Sequence, residues 1–387
     1  MVGASSSTPP SASPGRGARG LLALWALLAG GATLPAQTAA THTPAASLAT
    51  GRPAPAPEPG ALARHRLREA GLDPSRATLG APSRLPPAVD NSTLPAFPPL
   101  FDQGELESCT AVVSTYYQLT HAIGLRRGWD QARLSDENRF SPAWTYNLTN
   151  HGANIGVGLS RAYRALAEHG AVTLDALPYR GAEPADGAAL RNPEAPVLRD
   201  QARANRIARF GLVDAREPAH FLAELKRLLL EGHLLSGSTA IEGWNRTRVQ
   251  AAPGGNSARH VGEFICTRID EAAPVSHAIT LVGYDDDIWV DLDGDGRAEP
   301  GEHGAFKLVN SWGTRDWNGG FRWLHYAAVA RRPAEVAGEP ARRGAFWGDR
   351  VFWLVPAGED GLAGDAAPSL ASVTLFEDGP AGVVAPE

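Results

Sequence analysis

The spacing of apolar and polar positions changes character along this chain. In its first part, apolar residues recur at three- and four-residue steps, the period of amphipathic helices. Ala111, Val112, Thr115, Tyr116, Leu119 and Ile123 follow that period, and Gly124 is the expected stop. Further helices are predicted from Leu159 to Glu168, before Gly170, and from Pro218 to Leu230, before Gly232. A short one is predicted at Ala61 to Ala70, before Gly71. Beyond Gly232, runs with a period of two take over at Leu234–Ile241, Glu263–Ile269, Val275–Tyr284, Ala305–Val309, Phe321–Tyr326 and Val351–Val355. Helices first and strands afterwards predict an α+β protein whose site lies between the two halves.

The ends of the chain have another character. Arg16 and Arg19 precede the apolar run Leu21–Ala29, and small residues follow around Thr33–Gln37. That order is expected of an export signal over residues 1–37, because the run is shorter than the ~20 residues a spanning helix requires. It implies a secreted, periplasmic or cell-envelope protein with no membrane span after cleavage. Residues 38–84 are rich in Ala, Pro, Ser and Thr and read as a linker or short pro-segment. The folded domain is expected over 85–356, from Leu85-Pro86-Pro87-Ala88-Val89-Asp90 onward. Residues 357–387 read as a tail with one strand-like run, Ser372–Phe376.

A hydrophobic content of 43% is ample for a packed core. The 36 basic and 42 acidic residues are mixed along the chain and sum to −6, so no basic face exists for a nucleic-acid backbone. Two cysteines are too few for a disulfide scaffold, and the fold must rest on its core. Cys266, in the alternating segment Phe264–Ile269, reads as a small buried residue.

The chemistry concentrates in three segments. Gln103-Gly104-Glu105-Leu106-Glu107-Ser108-Cys109 sets a cysteine at the predicted helix start, with Ser108 as the N-cap. A thiolate there is stabilised by unpaired backbone N–H groups and the macrodipole, and the upstream amide can donate to an oxyanion. Val275-Ser276-His277-Ala278-Ile279-Thr280-Leu281-Val282-Gly283-Tyr284 supplies a base, and Phe306–Asn310 with Ser311-Trp312-Gly313 an orienter. The order Gln, Cys, His, Asn, with the H-A-x-x-L-V-G-Y strand and the N-S-W-G turn, resembles the papain-like cysteine peptidases. Phe140-Ser141-Pro142 and Leu177-Pro178-Tyr179 extend the resemblance, which covers roughly Leu85 to Val355.

The resemblance implies a two-lobe fold, helical in its N-terminal half and an antiparallel sheet or barrel in its C-terminal half. It implies a monomer acting on protein or peptide substrates with no catalytic cofactor. Cys109 would attack the scissile carbonyl, His277 would act as acid and base, and Asn310 would orient the imidazole. Gln103 with the Cys109 N–H would bind the oxyanion, and Trp312 would shield the Asn–His bond from water. Gly156-Val157-Gly158 and Ser276 would face the substrate. The chain departs from the family at Glu107, where a glycine is common, at Leu106, where many relatives have a cysteine, and at Thr110, where tryptophan is frequent. Glu105 and Glu107 should oppose thiolate formation somewhat. Two alternatives use the same residues: an inactive binding or adhesion module, and a transpeptidase or amidase.

Between the histidine and asparagine segments lies Asp291-Leu292-Asp293-Gly294-Asp295-Gly296-Arg297-Ala298-Glu299-Pro300-Gly301-Glu302. Oxygen donors stand at positions 1, 3, 5, 9 and 12 of a calcium loop, with Gly296 at the turn and the Arg297 carbonyl at position 7. The expected ligands are Asp291, Asp293, Asp295, Arg297, Glu299 and Glu302. Flanking strands instead of helices indicate a structural Ca²⁺ and not a switch.

Overall fold

The computed structural model describes residues 61–69, 85–182, 192, 194–214, 218–253, 259–270, 272–330, 345–346, 350–358 and 373–375. The expected export signal, most of the linker and most of the tail lie outside the described residues. None of the described helices is long and apolar enough to cross a membrane.

The chain is α+β. Among the described residues, β1 (Ala88–Asp90), β2 (Ile207–Asp214), β3 (Leu235–Thr239), β4 (Thr247–Arg248), β5 (Phe264–Cys266), β6 (His277–Trp289), β7 (His303–Val309), β8 (Phe321–His325), β9 (Arg350–Pro356) and β10 (Val373–Leu375) join in one sheet. Its order is β10-β2-β9-β3-β6-β7-β8-β5-β4, with β1 added on β6. Every pairing is antiparallel except β5 with β8.

β6 is the hub. Its first residues, His277 to Leu281, pair with β3, and Gly283 to Asp285 pair with β1 along the same edge, while β7 runs along the other. A strand flanked on both edges and covered on both faces reads as a near-continuous apolar run, as His277–Tyr284 does. Gly283 is required by the close approach of β1, since a Cβ there would lie 2.2 Å from the Val89 carbonyl oxygen.

Against β6 lies the central helix, made of Cys109–Ala111, the wide π-turns Val112–Leu119 and the α-turns Thr120–Arg127. Gly124 does not end it, as the sequence pattern predicts. It lets Ala96 pack closely, with a Cβ-to-Cβ separation of 3.1 Å for any side chain there, and the stop is the left-handed Gly128 at φ 66°. Gln118 is buried in this helix with its amide nitrogen donating to the Leu234 and Phe352 carbonyls and its oxygen accepting from Tyr163. One core cluster gathers the helices with Cys109 and Ala278, and a larger one lies on the sheet.

The helices-then-strands pattern is broken by β2, which precedes the helix Pro218–Leu230. Gly211 obscures this strand in the sequence; it is present because a side chain would collide with the Trp353 ring at 2.3 Å. The helices Pro142–Thr149 and Pro196–Arg203 were likewise not legible in the periodicity.

The short helix Ala61–Glu69 forms, in the stretch read as linker, and it docks on the domain. Arg66 donates to the Leu229 and Leu230 carbonyls at the C-terminal end of the helix Pro218–Leu230 and to Asn91 Oδ1 at 2.6 Å. The buried Asn91 amide donates to the Leu229 and His233 carbonyls. Leu62 reaches Gly232. Arg66→Ala should lower unfolding stability by about 1–3 kcal/mol, because it strips partners from half-buried carbonyls. Chemical denaturation measures this, and the activity of the folded fraction should be unaffected.

Candidate active site

Cys109 is the first residue of its helix and is 6% exposed. Ser108 stands at the N-cap, but its hydroxyl does not cap the helix. It meets Tyr179 Oη at 2.6 Å, and Tyr179, whose single proton goes to the Gln103 carbonyl at 2.7 Å, must accept from it. Tyr179 thus ties the helix start to the glutamine loop.

The helix start packs on the start of β6, where Cys109 and Ala278 share one buried cluster. His277 is the neighbouring residue on that strand. Its Nε2 lies 2.7 Å from Asn310 Oδ1, and the pair is buried. The Asn310 oxygen also accepts from the Ser311 N–H at 2.8 Å, so the amide orientation is set and Nε2 must carry a proton. That leaves Nδ1 as the ring nitrogen available for proton exchange. The Trp312 ring covers the imidazole at a centroid distance of 4.7 Å.

Gln103 is 6% exposed and anchored three ways. Its N–H donates to the Ser311 carbonyl at 2.8 Å, its Oε1 accepts from Ser311 Oγ, and its Nε2 donates to the Leu106 carbonyl at 2.7 Å. One Nε2 proton remains for an oxyanion. Tyr117, from the π-turns, donates to the Asn310 carbonyl and accepts from the Phe101 N–H. Sequence reasoning missed Tyr117 and the Ser311 hydroxyl, because long-range hydrogen bonds leave no periodic signal; Tyr179 was visible only as part of a resembling tripeptide.

Gly156-Val157-Gly158 lies beside the helix start, held by the Thr110 hydroxyl, which donates to the Val157 carbonyl at 2.6 Å. Side chains at Gly156 and Gly158 would meet nothing within 4 Å, so this stretch borders open space. Leu106, Ala111, Tyr146, Val157 and Tyr179 form an apolar cluster against it. Ser276 is exposed beside His277, and its hydroxyl donates to Glu242. Glu107 is exposed, with its N–H on Asn154 Oδ1.

Burial dominates the electrostatics. It pushes the Cys109 thiol up, past the lowering effect of the Ala278 and Thr110 backbone N–H groups, and Glu107 adds to the rise. It pushes His277 down, against the bond to Asn310. Burial of the sulfur thus opposes the charge that a helix start favours. Cys266 is buried and free, and burial pushes it up to about 12.

Of the expected calcium ligands, Asp291, Asp293 and Glu302 bring carboxylate oxygens within 4.8 Å of one another. Asp295 does not join this group and accepts from the Arg297 N–H. The Glu299 side chain caps the turn Pro300–Glu302. Glu302 is 4% exposed and accepts from the Leu292 and Glu299 N–H groups and from Trp289 Nε1, which hold it below the usual carboxylate range. The loop joins β6 to β7 at the end away from His277, about 40 Å along β6.

Three solved structures illustrate what the chain is similar to. Xylellain, a cysteine protease from Xylella fastidiosa, aligns at 21% identity over 71% of this chain and 87% of its own, with a TM-score of 0.45. Digestive procathepsin L 3 of the Tenebrio molitor larval midgut aligns at 15% identity over 71% and 72%, TM-score 0.44. Bromelain from Ananas comosus, in complex with the E64 inhibitor, aligns at 13% over 70% and 99%, TM-score 0.42. No protein-family model and no curated protein sequence matches. At these scores and identities the likeness carries no functional weight.

Glu107→Gln removes a charge that raises the Cys109 thiol, so more thiolate exists at any pH below its midpoint. The acid limb of the iodoacetamide alkylation rate should move down by about 0.2–0.5 pH unit at low salt, and by less at high salt. Cys266 should remain unlabelled in the same mass spectra.

Proposed function

We propose that the protein is an exported, papain-like cysteine peptidase that cleaves peptide bonds through an acyl-enzyme on Cys109. The observation that supports this best is the buried 2.7 Å bond between His277 Nε2 and Asn310 Oδ1, on the strand whose next residue, Ala278, packs with Cys109. That arrangement presents Nδ1 for the thiol proton. Proton transfer to Nδ1 gives thiolate and imidazolium, and the sulfur attacks the scissile carbonyl. The remaining Nε2–H of Gln103 and the Cys109 N–H stabilise the oxyanion. The imidazolium returns its proton to the leaving amine as the tetrahedral species collapses to a thioester. Water, giving a proton to Nδ1, then attacks the thioester and releases the acid product.

Peptide backbone would lie along Gly156-Val157-Gly158, where open space and the absence of side chains at two positions leave main-chain groups accessible. Ser276, exposed and next to His277 in the chain, would also face the substrate. The experiment is mass spectrometry after treatment with an epoxide inhibitor of papain-like enzymes. An adduct on Cys109 that is absent in Cys109→Ala and lost in His277→Ala is the expected result. No adduct on folded protein, or equal labelling of Cys266, would leave an inactive binding module as the better reading. Added amines that divert the acyl group would mark a transferase.

The loop 291–302 would hold a structural Ca²⁺. Asp291, Asp293 and Glu302 fit the ion as a set of convergent hard oxygens. The ion would supply charge neutralisation at the β6–β7 turn and no step of the chemistry. Calcium at about 2 mM should raise Tm by about 2–5 °C, as for a site with a Kd near 10⁻⁴ M. Asp293→Asn should remove the increment, and turnover below Tm should not depend on calcium.

A further inference from the structure

Behind the His277–Asn310 pair the fold buries a second pair of charges. Asp316 and Arg322 have side chains only 3% and 6% exposed. Arg322 grips the carboxylate with two bonds, Nε to Oδ2 at 2.8 Å and one terminal nitrogen to Oδ1 at 2.7 Å. Its guanidinium is enclosed by Trp317 at 4.3 Å, Trp312 at 5.2 Å and Trp244 at 5.6 Å from the ring centroids. The carboxylate makes one bond that the ion pair does not need: Oδ2 accepts from Asn310 Nδ2 at 2.6 Å.

We propose, on the reading of His277 as the proton carrier, that Asp316 is a positioning residue that locks the Asn310 amide and so selects the histidine tautomer. An asparagine amide is nearly symmetric in shape and can turn over by half a rotation. In the observed orientation, Oδ1 accepts from His277 Nε2–H and from the Ser311 N–H, and Nδ2 donates to Asp316. Turned over, the amide would place an oxygen against the Asp316 carboxylate and an NH2 against both the Ser311 N–H and the imidazole proton. Each contact would become like against like in a buried setting where unpaired polar groups are costly. The negative charge of Asp316 makes the discrimination strong, and Arg322 keeps that charge fixed and ionised. With the amide locked, the ring proton stays on Nε2 and the lone pair on Nδ1.

The charged groups facing His277 are Arg322, Glu242 and Asp316, with Glu107 acting on the neighbouring Cys109. Removing Asp316 and Arg322 together deletes one charge of each sign, so a change in behaviour reports the lost hydrogen bond more than a change in field. It also avoids leaving a lone buried charge, which is what makes single deletions of such pairs destructive.

The test therefore uses Asp316→Leu/Arg322→Met in the full chain, with Asp316→Val/Arg322→Leu, which removes the same bond and the same two charges, as a second variant should the first not fold. Cys109 is blocked with methanethiosulfonate to keep the ring neutral, and the His277 nitrogens are observed by ¹⁵N NMR above pH 7. The parent protein should show one tautomer, protonated at Nε2, and the variant a mixture. Peptidase turnover should fall about ten- to a hundredfold with KM little changed. A folded variant that retains the single tautomer and full turnover would overturn the proposal. If the parent proves to have no peptidase activity, the tautomer still decides: its loss in the variant supports the locking role even though the peptidase reading fails.

Discussion

The register of β6 against β7 is the constraint on which the rest depends. Thr280 sits opposite Val309, so the residue three before Thr280 and the residue just after Val309 come together at the end of the hairpin. These are His277 and Asn310. A slip of one residue would send both side chains to the wrong faces, because strand side chains alternate. Pairing of β6 with β3 and β1 along its other edge, and of β7 with β8, leaves little freedom for such a slip. The backbone ladder therefore does the alignment that the chemistry needs.

The central helix is then placed by packing against that hub. Val112, Tyr116 and Tyr117 join Val282 and Val309 in one apolar cluster, and the buried Gln118 is satisfied by groups at the start of β3 and on β9. Cys109 is delivered at the helix start, next to Ala278. The site is buried as a result, and burial acts both ways. It strengthens the His277–Asn310 bond and raises the energy of the isolated thiolate.

Two features of the fold act at a distance from this chemistry. The helix Ala61–Glu69 attaches through Arg66 at the C-terminal end of the helix Pro218–Leu230, by Gly232 and Leu125. Leu125 is near the end of the central helix opposite Cys109, about 24 Å away along its axis. The helix Ala61–Glu69 thus contributes to stability at a distance from the sulfur. The acidic loop closes the other end of the β6–β7 hairpin, where Glu302 is bound to Trp289 and its carbonyl meets His325.

Much of this was legible in the chain itself. The period-two runs located β3, β5, β6, β7, β8 and β9, the helical period located three helices and part of the central one, and local motifs singled out Gln103, Cys109, His277 and Asn310. These signals are local, because periodicity and turn chemistry act over a few residues. What the tertiary structure decided has no local signature. Gly124 was a packing contact and not a stop, Gly211 hid a strand by making room for Trp353, and Gly283 served the approach of β1. Ser108 bonded Tyr179 instead of capping its helix, and Asp316, an unremarkable acid in the sequence, became the partner of the Asn310 amide. Each of these depends on groups that meet only when distant segments are packed together, and burial, not sequence position, sets how strongly they interact.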